Sequence, residues 1–600
     1  MCGIIGIFSK KKKNQSIINE INKMAESIHH RGPDDGDTWF NQNYSCVLSH
    51  KRLSIVDLSK NGLQPMVSKS KRFVITYNGE IYNTFDLKKL LKSKNIDFKG
   101  HSDTEIILEL IDCYGIKKIL PKLIGMFAFG VFDNLENKIY LCRDRLGKKP
   151  LFWSIMNNNL IFASELKPFN IFNGFKKLIN KNAVANFLRH GYIPAPYSIY
   201  EGVFKLEPGS ILEISGNDFN PKISKFWDLT GIVKKRTIIK DQTENELINN
   251  LDDLLTDSIS KRMLADVPLG AFLSGGIDSS TVCAIMQKIS SRKIKTFSIG
   301  FHESDYNEAN HAKKIAKHLK TEHHELYLTP SEAQSFIPEI PKYFDEPFAD
   351  SSQIPTFLIS KMAVEKVKVA LSGDGGDELF MGYNRYMIAN NVNWIFNLPD
   401  FLKKFIINFI NLGSKKSWNT LSKIFPNSFV PSQLGEKLYK LTKILKEDDP
   451  DFYRFLISSI DNPDNYLIEG NEEKGLVWKN NFDTYLNDYV EKLKLLDTLT
   501  YLPDDILTKV DRASMAVSLE VRVPLLDHRI VEFAWCLPKN IQIRKTKTKW
   551  ILREVLKKYV PENYFNRPKM GFGVPIDSWL RKDLKNWASH LLSDEVFKKY

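Results

Sequence analysis

Short apolar runs alternate with polar turns over roughly the first 230 residues. The stretches "CGIIGIF", "RFVITYNGEIYN" and "KIYLCRD" predict β-strands, and "LFWSIMNNNLIFAS" predicts a hairpin folded around its asparagines. One helix is predicted from an apolar stripe at Ile17, Ile21, Met24 and Ile28. A second begins in "HSDTEIILELI", where Ser102 and Glu105 predict a capping box. The first part of the chain is therefore strand-rich, with a few helices.

The pattern changes after a polar, aperiodic stretch from Gly231 to Thr243, which predicts a linker. The next segment predicts a helix with one apolar face, formed by Leu247, Leu251, Leu254, Ile259 and Met263. Apolar runs in "VPLGAFL", "KTFSIGF", "HHELYLT" and "VKVALS" then alternate with helical segments. This alternation predicts a parallel sheet flanked by helices. Beyond residue 390 the pattern is mostly helical, without a clear repeat.

Length and cysteine usage narrow the class of protein. A chain of 600 residues is too long for one hydrophobic core, so we expect at least two domains. The six cysteines are scattered, which argues against structural zinc and against a secreted disulfide scaffold. The sequence shows neither a signal-peptide pattern nor an apolar run long enough to cross a membrane. We therefore expect a soluble, cytoplasmic protein without a membrane partner.

The net charge of +14 suggests nucleic acid as a candidate partner. However, the lysines are spread along the chain and alternate with acidic residues, as in "KILKEDDPDFYR". This distribution favours a solvated, lysine-rich surface and no nucleic-acid partner. A basic nucleic-acid-binding protein that also binds ATP is the alternative from a different functional class.

Candidate chemistry begins with the stretch "LGAFLSGGIDSSTV", in which an apolar strand runs into a glycine-containing loop and then a predicted helix. Glycines let backbone N–H groups approach an anion, and a helix N-terminus favours negative charge. The loop therefore predicts a phosphate-binding site, although an ordinary strand-to-helix turn can also contain two glycines. It is not a Walker loop, because the required Lys-Ser/Thr is absent.

A second acidic, glycine-rich loop, "SGDGGDELF", follows the apolar run "VKVAL". In a parallel sheet both loops would lie at the carboxyl edge, where ligands bind in such folds. Asp278 and Asp377 could then supply oxygen ligands to Mg²⁺. Two such loops favour a nucleotide site more strongly than either does alone.

Cys2, directly behind Met1, permits two interpretations. Most free cysteines are small buried hydrophobic residues. Alternatively, loss of Met1 would make Cys2 the first residue, with a free α-amine beside a nucleophilic sulfur.

The motifs "CGIIGIF", "HRGPDDG", "HKRLSIVDL", "NGEIYN", "SGGIDSS" and "SGDGGDELF" occur in an order that resembles the glutamine-hydrolysing asparagine synthetases. The resemblance covers essentially the whole chain. It implies a two-domain α/β protein: an N-terminal-nucleophile hydrolase αββα sandwich over residues 2–228, the glutaminase domain, and then a Rossmann-like parallel-sheet ATP pyrophosphatase domain with a helical C-terminal part over residues 240–600. It also implies the reaction: glutamine is hydrolysed, and its ammonia passes to an aspartyl-adenylate made from ATP and aspartate.

For the glutaminase reaction, the resemblance implies that Cys2 is the nucleophile and that its α-amine is the general base. Asn78 and Gly79 would form the oxyanion hole, and Arg52, Asn78, Glu80 and Asp103 would bind glutamine. The ordinary alternatives are a surface charge at Arg52, a turn at Asn78-Gly79 and a first-turn dipole partner at Asp103.

For the ATP reaction, the resemblance implies binding residues Leu273, Ser274, Gly275, Gly276, Asp278, Ser279, Gly300, Ser372 and Gly373. Asp278 and Asp377 would hold Mg²⁺. Lys549, in "KWILRE", would stabilise charge during adenylation, the alternative being a solvated lysine. Glu520 and Arg522 lie in a matching stretch, where a buried pair of this kind can be purely structural. A channel lined by uncharged residues is expected to carry ammonia between the sites.

The acceptor acid is where the resemblance is least specific. The catalytic-loop position of Asp374 is often glutamate in asparagine-forming members, and "FDEPFADSSQIPT" resembles a branch that includes amidotransferases of other carboxylates, such as sugar uronic acids. Aspartate is the leading acceptor, with another carboxylic acid as the alternative. The implied partners are thus glutamine, ATP and this acid, and a homodimer is left open. The resemblance also implies a further helical segment beyond Tyr600.

Overall fold

In the computed structural model, the first part of the chain forms two six-stranded antiparallel sheets. The structure describes residues 1–422, 435, 438, 442, 445, 453–478 and 481–598, apart from 95, 304–306, 397, 455, 487 and 568–572. The first sheet has the strand order β10-β8-β9-β1-β3-β2, and the second has the order β12-β11-β7-β6-β5-β4. The strands are β1 Gly3–Ser9, β2 Asp35–Phe40, β3 Cys46–Arg52, β4 Met66–Val67, β5 Phe73–Ile81, β6 Gly125–Asp133, β7 Lys138–Arg143, β8 Phe152–Met156, β9 Asn159–Ala163, β10 Val203–Lys205, β11 Ser210–Ser215 and β12 Lys222–Lys225.

Buried side chains place these sheets face to face. One apolar cluster joins residues of both sheets, among them Phe8 and Leu48 of the first and Val74 and Phe132 of the second. Two further clusters cover the outer faces, one with α1 and α5 and the other with α2, α3 and α4. These helices are α1 Ser16–Glu26, α2 Thr84–Leu91, α3 Asp103–Tyr114, α4 Ile116–Ile119 and α5 Lys181–His190. The layers are therefore α, β, β and α, as the resemblance implied.

The second part of the chain contains a five-stranded parallel sheet with the order β15-β14-β13-β16-β17. Its strands are β13 Leu269–Phe272, β14 Lys295–Phe301, β15 Glu322–Leu328, β16 Val369–Leu371 and β17 Glu520–Arg522. The helices before the last strand are α6 Leu229–Lys235, α7 Glu244–Arg262, α8 Ile277–Ile289, α9 Ala309–Leu319, α10 Pro330–Phe336, α11 Ile340–Phe344, α12 Gln353–Val364, α13 Gly376–Leu379, α14 Asn384–Phe396, α15 Asp400–Asn411, α16 Lys415–Ser422, α17 Tyr489–Leu496 and α18 Leu507–Met515. A π-helical segment, Asp497–Ile506, joins α17 to α18.

Six more helices follow the last strand among the described residues: α19 His528–Cys536, α20 Lys539–Gln542, α21 Trp550–Lys557, α22 Ile576–Arg581, α23 Lys585–Leu591 and α24 Asp594–Phe597. The predicted helical character beyond residue 390 is confirmed for the described residues, with one exception. Strand β17 arises from "LEVRV" and pairs in parallel with β16. Its three residues are too few for a periodicity signal.

The local predictions are mostly confirmed. The hairpin β8–β9 turns at Asn157 and Asn158, both of which have positive φ, as a tight hairpin turn requires. The capping box at Ser102 is wrong in its second half: the Ser102 side chain accepts from the backbone N–H of Glu105, but the Glu105 carboxylate accepts from Lys99 and Gly100 instead. The linker prediction is also wrong at its start, because α6 extends to Lys235.

The helix predicted from the stripe at Leu247 is confirmed as α7, with a complete capping box at Thr243. Its buried face contains Leu255 where the pattern placed Leu254, which is only half-buried. None of the described helices is both long and apolar enough to cross a membrane.

Candidate active sites

Both glycine-rich loops lie at the carboxyl edge of the parallel sheet. Strands β13 and β16 are neighbours, and each runs directly into its loop. The loops border a cavity of about 460 Å³. Of the residues expected to act on ATP, the following line this cavity: Leu273, Ser274, Gly275, Gly276, Asp278, Ser279, Ser372, Gly373, Asp374, Asp377 and Lys549. The parallel sheet thus brings together residues that are far apart in sequence.

The glycines of these loops allow close backbone approach. A Cβ at Gly373 would lie 2.6 Å from the backbone nitrogen of Ser279, so the two loops touch through main chain. Gly275 has a φ of +76°, in the left-handed region that favours glycine. The Ser279 hydroxyl accepts from the backbone N–H of Ser274 and closes the first loop at 3.2 Å. Helix α8 begins at Ile277, so its N-terminus points its unpaired N–H groups toward the cavity.

Lys549 lies between the two aspartates that were expected to hold a metal. Its Nζ contacts the Asp278 carboxylate and lies 2.7 Å from Asp377 Oδ1. Burial disfavours the charged lysine, but both carboxylates outweigh this effect and raise the pKa of Lys549. Since Lys549 is only 4% exposed, it is not a solvated surface lysine. The arrangement is a buried cation between two carboxylates that line the cavity.

A second set of polar residues lines the same cavity near Asp374. The set contains one cation, Lys509, whose Nζ lies 2.7 Å from Asp350 Oδ2 and 2.8 Å from Ser352 Oγ. Ser372 donates its hydroxyl to the Asp374 carboxylate. Burial raises the pKa of Asp374, and burial together with nearby Asp377 raises the pKa of Glu378 to about 7. This end of the cavity therefore carries several carboxyl groups around one lysine.

Gly300 is the expected ATP residue that does not line the cavity. Its neighbours Ser298 and Ile299 line it instead. A Cβ at Gly300 would meet Ala309, Asn307 and Tyr327 within 3.0 Å, so packing alone requires a glycine there.

The other expected site surrounds Cys2, which is 8% exposed at the start of β1. A small cavity of about 30 Å³ is bordered by Met1, Cys2, Arg52, Leu53, Ile55, Val56, Gly62, Gln64, Tyr77, Gly79, Glu80, Ser102, Asp103, Thr104 and Glu520. Burial raises the pKa of the Cys2 thiol. Met1 is present and 1% exposed, so it fills space beside the sulfur.

Asn78 forms a hydrogen bond with the backbone of Cys2. Its Oδ1 accepts a hydrogen bond from the backbone N–H of Cys2 at 3.0 Å. Its Nδ2 is buried and has no hydrogen-bond partner among the described residues. A buried unpaired donor is costly, so this nitrogen is suited to a ligand oxygen. Gly79 follows on β5, where a Cβ would lie 2.2 Å from the carbonyl oxygen of Met126 on the neighbouring strand.

The remaining expected glutamine residues contact this cavity in different ways. Arg52 donates to the carbonyl oxygens of Asp57 and Ser59, so in this structure it holds a loop. Asp103 Oδ2 accepts from Tyr77 Oη at 2.7 Å and from the backbone N–H of Ile81 at 2.8 Å. Burial, with Asp103 nearby, raises the pKa of Glu80. Asp103 therefore does more than interact with the helix dipole, since its side chain binds Tyr77 and the backbone of Ile81.

One residue from the second part of the chain borders the Cys2 cavity. Glu520 of β17 is 1% exposed, and its Oε2 accepts from the Met1 α-ammonium at 2.9 Å. Arg522 Nε donates to Glu520 Oε1 at 2.6 Å. The predicted buried pair therefore exists, but it also borders the Cys2 cavity. Sequence reasoning did not place it there, because only the tertiary fold brings β17 beside β1.

A cluster of buried charges also joins the two parts of the chain. Arg31 Nε donates to the Cys2 carbonyl at 3.2 Å, and its terminal nitrogens contact both oxygens of Asp511. Lys149 Nζ lies 3.2 Å from Asp511. Arg31 occurs in "HRGPDDG", while Asp511 and Lys509 occur in "KVDRASM". Neither segment predicts this contact, since a partner some 480 residues away has no local signature.

Two family models match this chain. The family model described as "Asparagine synthase" matches residues 250–600, and that described as "Glutamine amidotransferase domain" matches residues 1–227. "Asparagine synthetase [glutamine-hydrolyzing] 1" of Bacillus subtilis is 32% identical, covering 100% of this chain and 91% of that protein. "Putative asparagine synthetase [glutamine-hydrolyzing] 2" of Methanocaldococcus jannaschii is 36% identical, covering 87% of this chain and 100% of that protein.

Proposed function

Since the chain belongs to the family of glutamine-hydrolysing asparagine synthetases, which are enzymes of glutamine-dependent amide transfer, we propose that it makes asparagine from aspartate by way of an aspartyl-adenylate. Glutamine is hydrolysed at Cys2, and ATP and aspartate react in the cavity between the two glycine-rich loops. The products are asparagine, AMP, pyrophosphate and glutamate. The geometry of Lys549 between two loop aspartates carries this proposal.

In the glutaminase reaction, Met1 must first be lost. The cavity beside Cys2, of about 30 Å³, is too small for the glutamine side chain while Met1 fills the adjoining space. Loss of Met1 also converts the Cys2 nitrogen, which Asn78 Oδ1 already orients, into a free amine. An α-amine has a pKa of about 8, so it can take the thiol proton near neutral pH. The sulfur then attacks the glutamine amide, and the unpaired Nδ2 of Asn78 donates to the developing oxyanion.

In the ATP reaction, the acceptor carboxylate attacks the α-phosphate and pyrophosphate leaves. The amides of the loop at Gly276 and the N-terminus of α8 hold phosphate oxygens. Lys549 supplies a permanent positive charge in a buried setting, where it stabilises the negative charge that develops on the leaving oxygens.

Asp278 and Asp377 fit a Mg²⁺ ion carried with ATP. Both carboxylates reach the Nζ of Lys549, so they lie within a few ångströms of each other and face the phosphate site. Carboxylate and phosphate oxygens are the ligands that Mg²⁺ prefers. When bound, Mg²⁺ supplies neutralisation of phosphate charge, and these two residues would hold it.

The acidic end of the cavity favours an acceptor that carries an ammonium group. Asp350, Asp374 and Glu378 line this end, and Lys509 is the cation among them. Aspartate matches such a site, because its α-ammonium can pair with a carboxylate while its α-carboxylate approaches Lys509. A uronic acid without an amino group would bring a further carboxylate to this end of the cavity without an ammonium group to pair with the acidic residues there.

The test is a screen for pyrophosphate release with ATP and a panel of carboxylic acids: aspartate, glutamate, succinate and glucuronate. We expect release with aspartate and much less with succinate, which is aspartate without its amino group. Release that depends on glucuronate but not on aspartate would overturn the acceptor assignment. A Cys2→Ala variant serves as the control for the two sites. It should lose glutamine-supported synthesis and keep synthesis from added ammonium.

A further inference from the structure

Glu520 presents one carboxylate oxygen to the Cys2 cavity. Its other oxygen, Oε1, is held by Arg522 Nε at 2.6 Å. The oxygen facing the cavity, Oε2, accepts a hydrogen bond from the α-ammonium of Met1 at 2.9 Å. Both charged groups of this second contact are buried, with 0% and 1% side-chain exposure. Oε2 is therefore positioned to accept a hydrogen bond from an N–H group that lies in the Cys2 cavity.

Removal of Met1 takes this nitrogen away. In this structure the Cys2 nitrogen is directed to a different acceptor, since it donates to Asn78 Oδ1 at 3.0 Å. Oε2 would then be a buried carboxylate oxygen without its donor, beside the volume that Met1 had filled. Such an oxygen costs free energy unless a small N–H or O–H donor occupies the space. Ammonia has the size and the hydrogens to take the place of the Met1 α-nitrogen.

We propose that Glu520 Oε2 is the first binding site for the ammonia released from glutamine, in the space that Met1 vacates. This inference rests on the proposed function, since it needs glutamine hydrolysis at Cys2. The Met1 α-ammonium marks the position of the bound nitrogen.

The chemical step leaves ammonia neutral. Sγ of Cys2 forms a bond to the side-chain carbon of glutamine, and the carbon–nitrogen bond breaks. The thiol proton passes to the Cys2 amine and then to the leaving nitrogen, so the products are a thioester and NH₃. Ammonia donates a hydrogen bond to Oε2, and no proton moves to the carboxylate. Arg522 keeps that carboxylate ionised and thus an acceptor only.

The position of Glu520 also points toward the ATP site. Strand β17 begins at Glu520 and ends at Arg522, whose carbonyl oxygen accepts from the backbone N–H of Ser372 at 2.8 Å. Ser372 and Asp374 line the ATP cavity. A strand rises about 3.3 Å per residue, so β17 itself covers several ångströms of the way between the cavities. Ammonia held at Oε2 has therefore left the thioester and lies at the start of this strand.

Two other charged groups near this site contact atoms other than Oε2, and Lys149, which contacts Met1 Sδ, is paired with Asp511. Arg522 Nη1 donates to the carbonyl oxygens of Arg262 and Leu264, at 2.8 and 2.6 Å. Glu80 lies 3.5 Å from Arg522 Nη2. The N-terminal ammonium is thus the group that the cavity-facing oxygen binds in this structure, and it is the one that processing removes.

The test uses Glu520→Gln in the full-length protein, with loss of Met1 checked by intact mass. The enzyme receives glutamine labelled with ¹⁵N in its amide, together with excess unlabelled ammonium, ATP and aspartate. We expect wild type to place mostly ¹⁵N in its asparagine and E520Q to place mostly unlabelled nitrogen there. Glutamate formation and ammonium-supported synthesis should each remain within a few-fold of wild type.

Glu109→Gln is the matched control, because Glu109 is a buried glutamate that does not border the Cys2 cavity. It should transfer ¹⁵N like wild type. Equal ¹⁵N transfer in E520Q, with both partial reactions intact, would overturn the ammonia site. Loss of glutamate formation alone in E520Q would overturn it too, by assigning Glu520 to glutamine binding.

If E520Q fails to fold, Glu520→Asp replaces it, since aspartate keeps the charge that Arg522 needs. The aspartate side chain is one methylene shorter. We therefore expect E520D to transfer less ¹⁵N to asparagine than wild type does, but more than a fully uncoupled enzyme would. Transfer equal to that of wild type would again overturn the site. The proposed function fails separately, if wild type itself forms no glutamate from glutamine.

Discussion

The backbone N–H of Ser372 donates a 2.8 Å hydrogen bond to the carbonyl oxygen of Arg522. Ser372 begins the second glycine-rich loop and lines the larger cavity, while Arg522 belongs to the strand whose first residue borders the Cys2 cavity. The two candidate sites are therefore joined by one strand and its hydrogen bond. A shift of β17 would therefore change the positions of residues at both sites.

Asn78 tests the glutaminase site. Asn78→Asp keeps an oxygen that can accept from the Cys2 nitrogen but removes the buried donor Nδ2. We expect glutamine hydrolysis to fall by about 100-fold to 1,000-fold, the usual cost of one oxyanion donor. Ammonium-supported synthesis in the same preparation is the control and should be unchanged. Undiminished glutaminase activity in N78D would show that the oxyanion is stabilised elsewhere.

Lys549 tests the adenylation step. Lys549→Met removes the charge between Asp278 and Asp377 while keeping much of the side-chain volume. We expect aspartate-dependent pyrophosphate release to fall by at least about 100-fold, since a preorganised charge at the reacting phosphates is lost. Glutaminase activity should persist, because Lys549 does not border the Cys2 cavity. A variant that retained most of its pyrophosphate release would contradict the assigned role.

Gly373 tests the contact between the two loops. In Gly373→Ala the new Cβ would lie 2.6 Å from the backbone nitrogen of Ser279, so the loops must separate. We expect the KM for ATP to rise by about tenfold, equivalent to about 1.4 kcal/mol of binding free energy. Gly475→Ala is the matched control, because among the described residues no atom beyond its chain neighbours lies within 4 Å of its Cβ position. Similar ATP kinetics in the two variants would argue against close approach at Gly373.

Asp511 tests the buried charges between the two parts of the chain. Burial alone would raise the pKa of Asp511, but Arg31 and Lys149 outweigh this and lower it to about 2. Because the folded pKa lies below the unfolded value of about 3.9, this stabilisation is present above pH 4 and is lost as the pH falls toward 2. In Asp511→Asn, buried Lys149 loses its carboxylate partner and Arg31 keeps only Glu165, and breaking a buried pair in this way typically costs about 3–5 kcal/mol.

Thermal unfolding measured from pH 7 to pH 3 checks this prediction. The Tm of D511N should be lower than that of wild type at pH 7, and the difference should shrink as the pH approaches 3. Lys138→Ala is the control, because its ion pair with Glu136 is exposed and should contribute little. A Tm difference that stays constant over this pH range would contradict the pKa assigned to Asp511.

Much of this protein is determined by local sequence. The hairpin at Asn157 and Asn158, helix α1 and the parallel strands that precede both glycine-rich loops follow from periodicity and turn chemistry, which act over a few residues. The convergence of the two loops follows as well, because parallel strands end at one edge of a sheet. Cys2, Gly79 and Asp103 were expected together, and the structure places them around one cavity, while Asn78 accepts a hydrogen bond from the Cys2 nitrogen.

Only the tertiary structure decided which distant groups meet. Strand β17 is three residues long and has no periodicity, yet its pairing with β16 places Glu520 beside Met1. Arg31 meets Asp511 across 480 residues for the same reason. The energy of a buried ion pair depends on burial and on distance, and both are properties of the folded chain. The sequence therefore determined the elements and their chemistry, while packing between the two parts of the chain decided how the sites are connected.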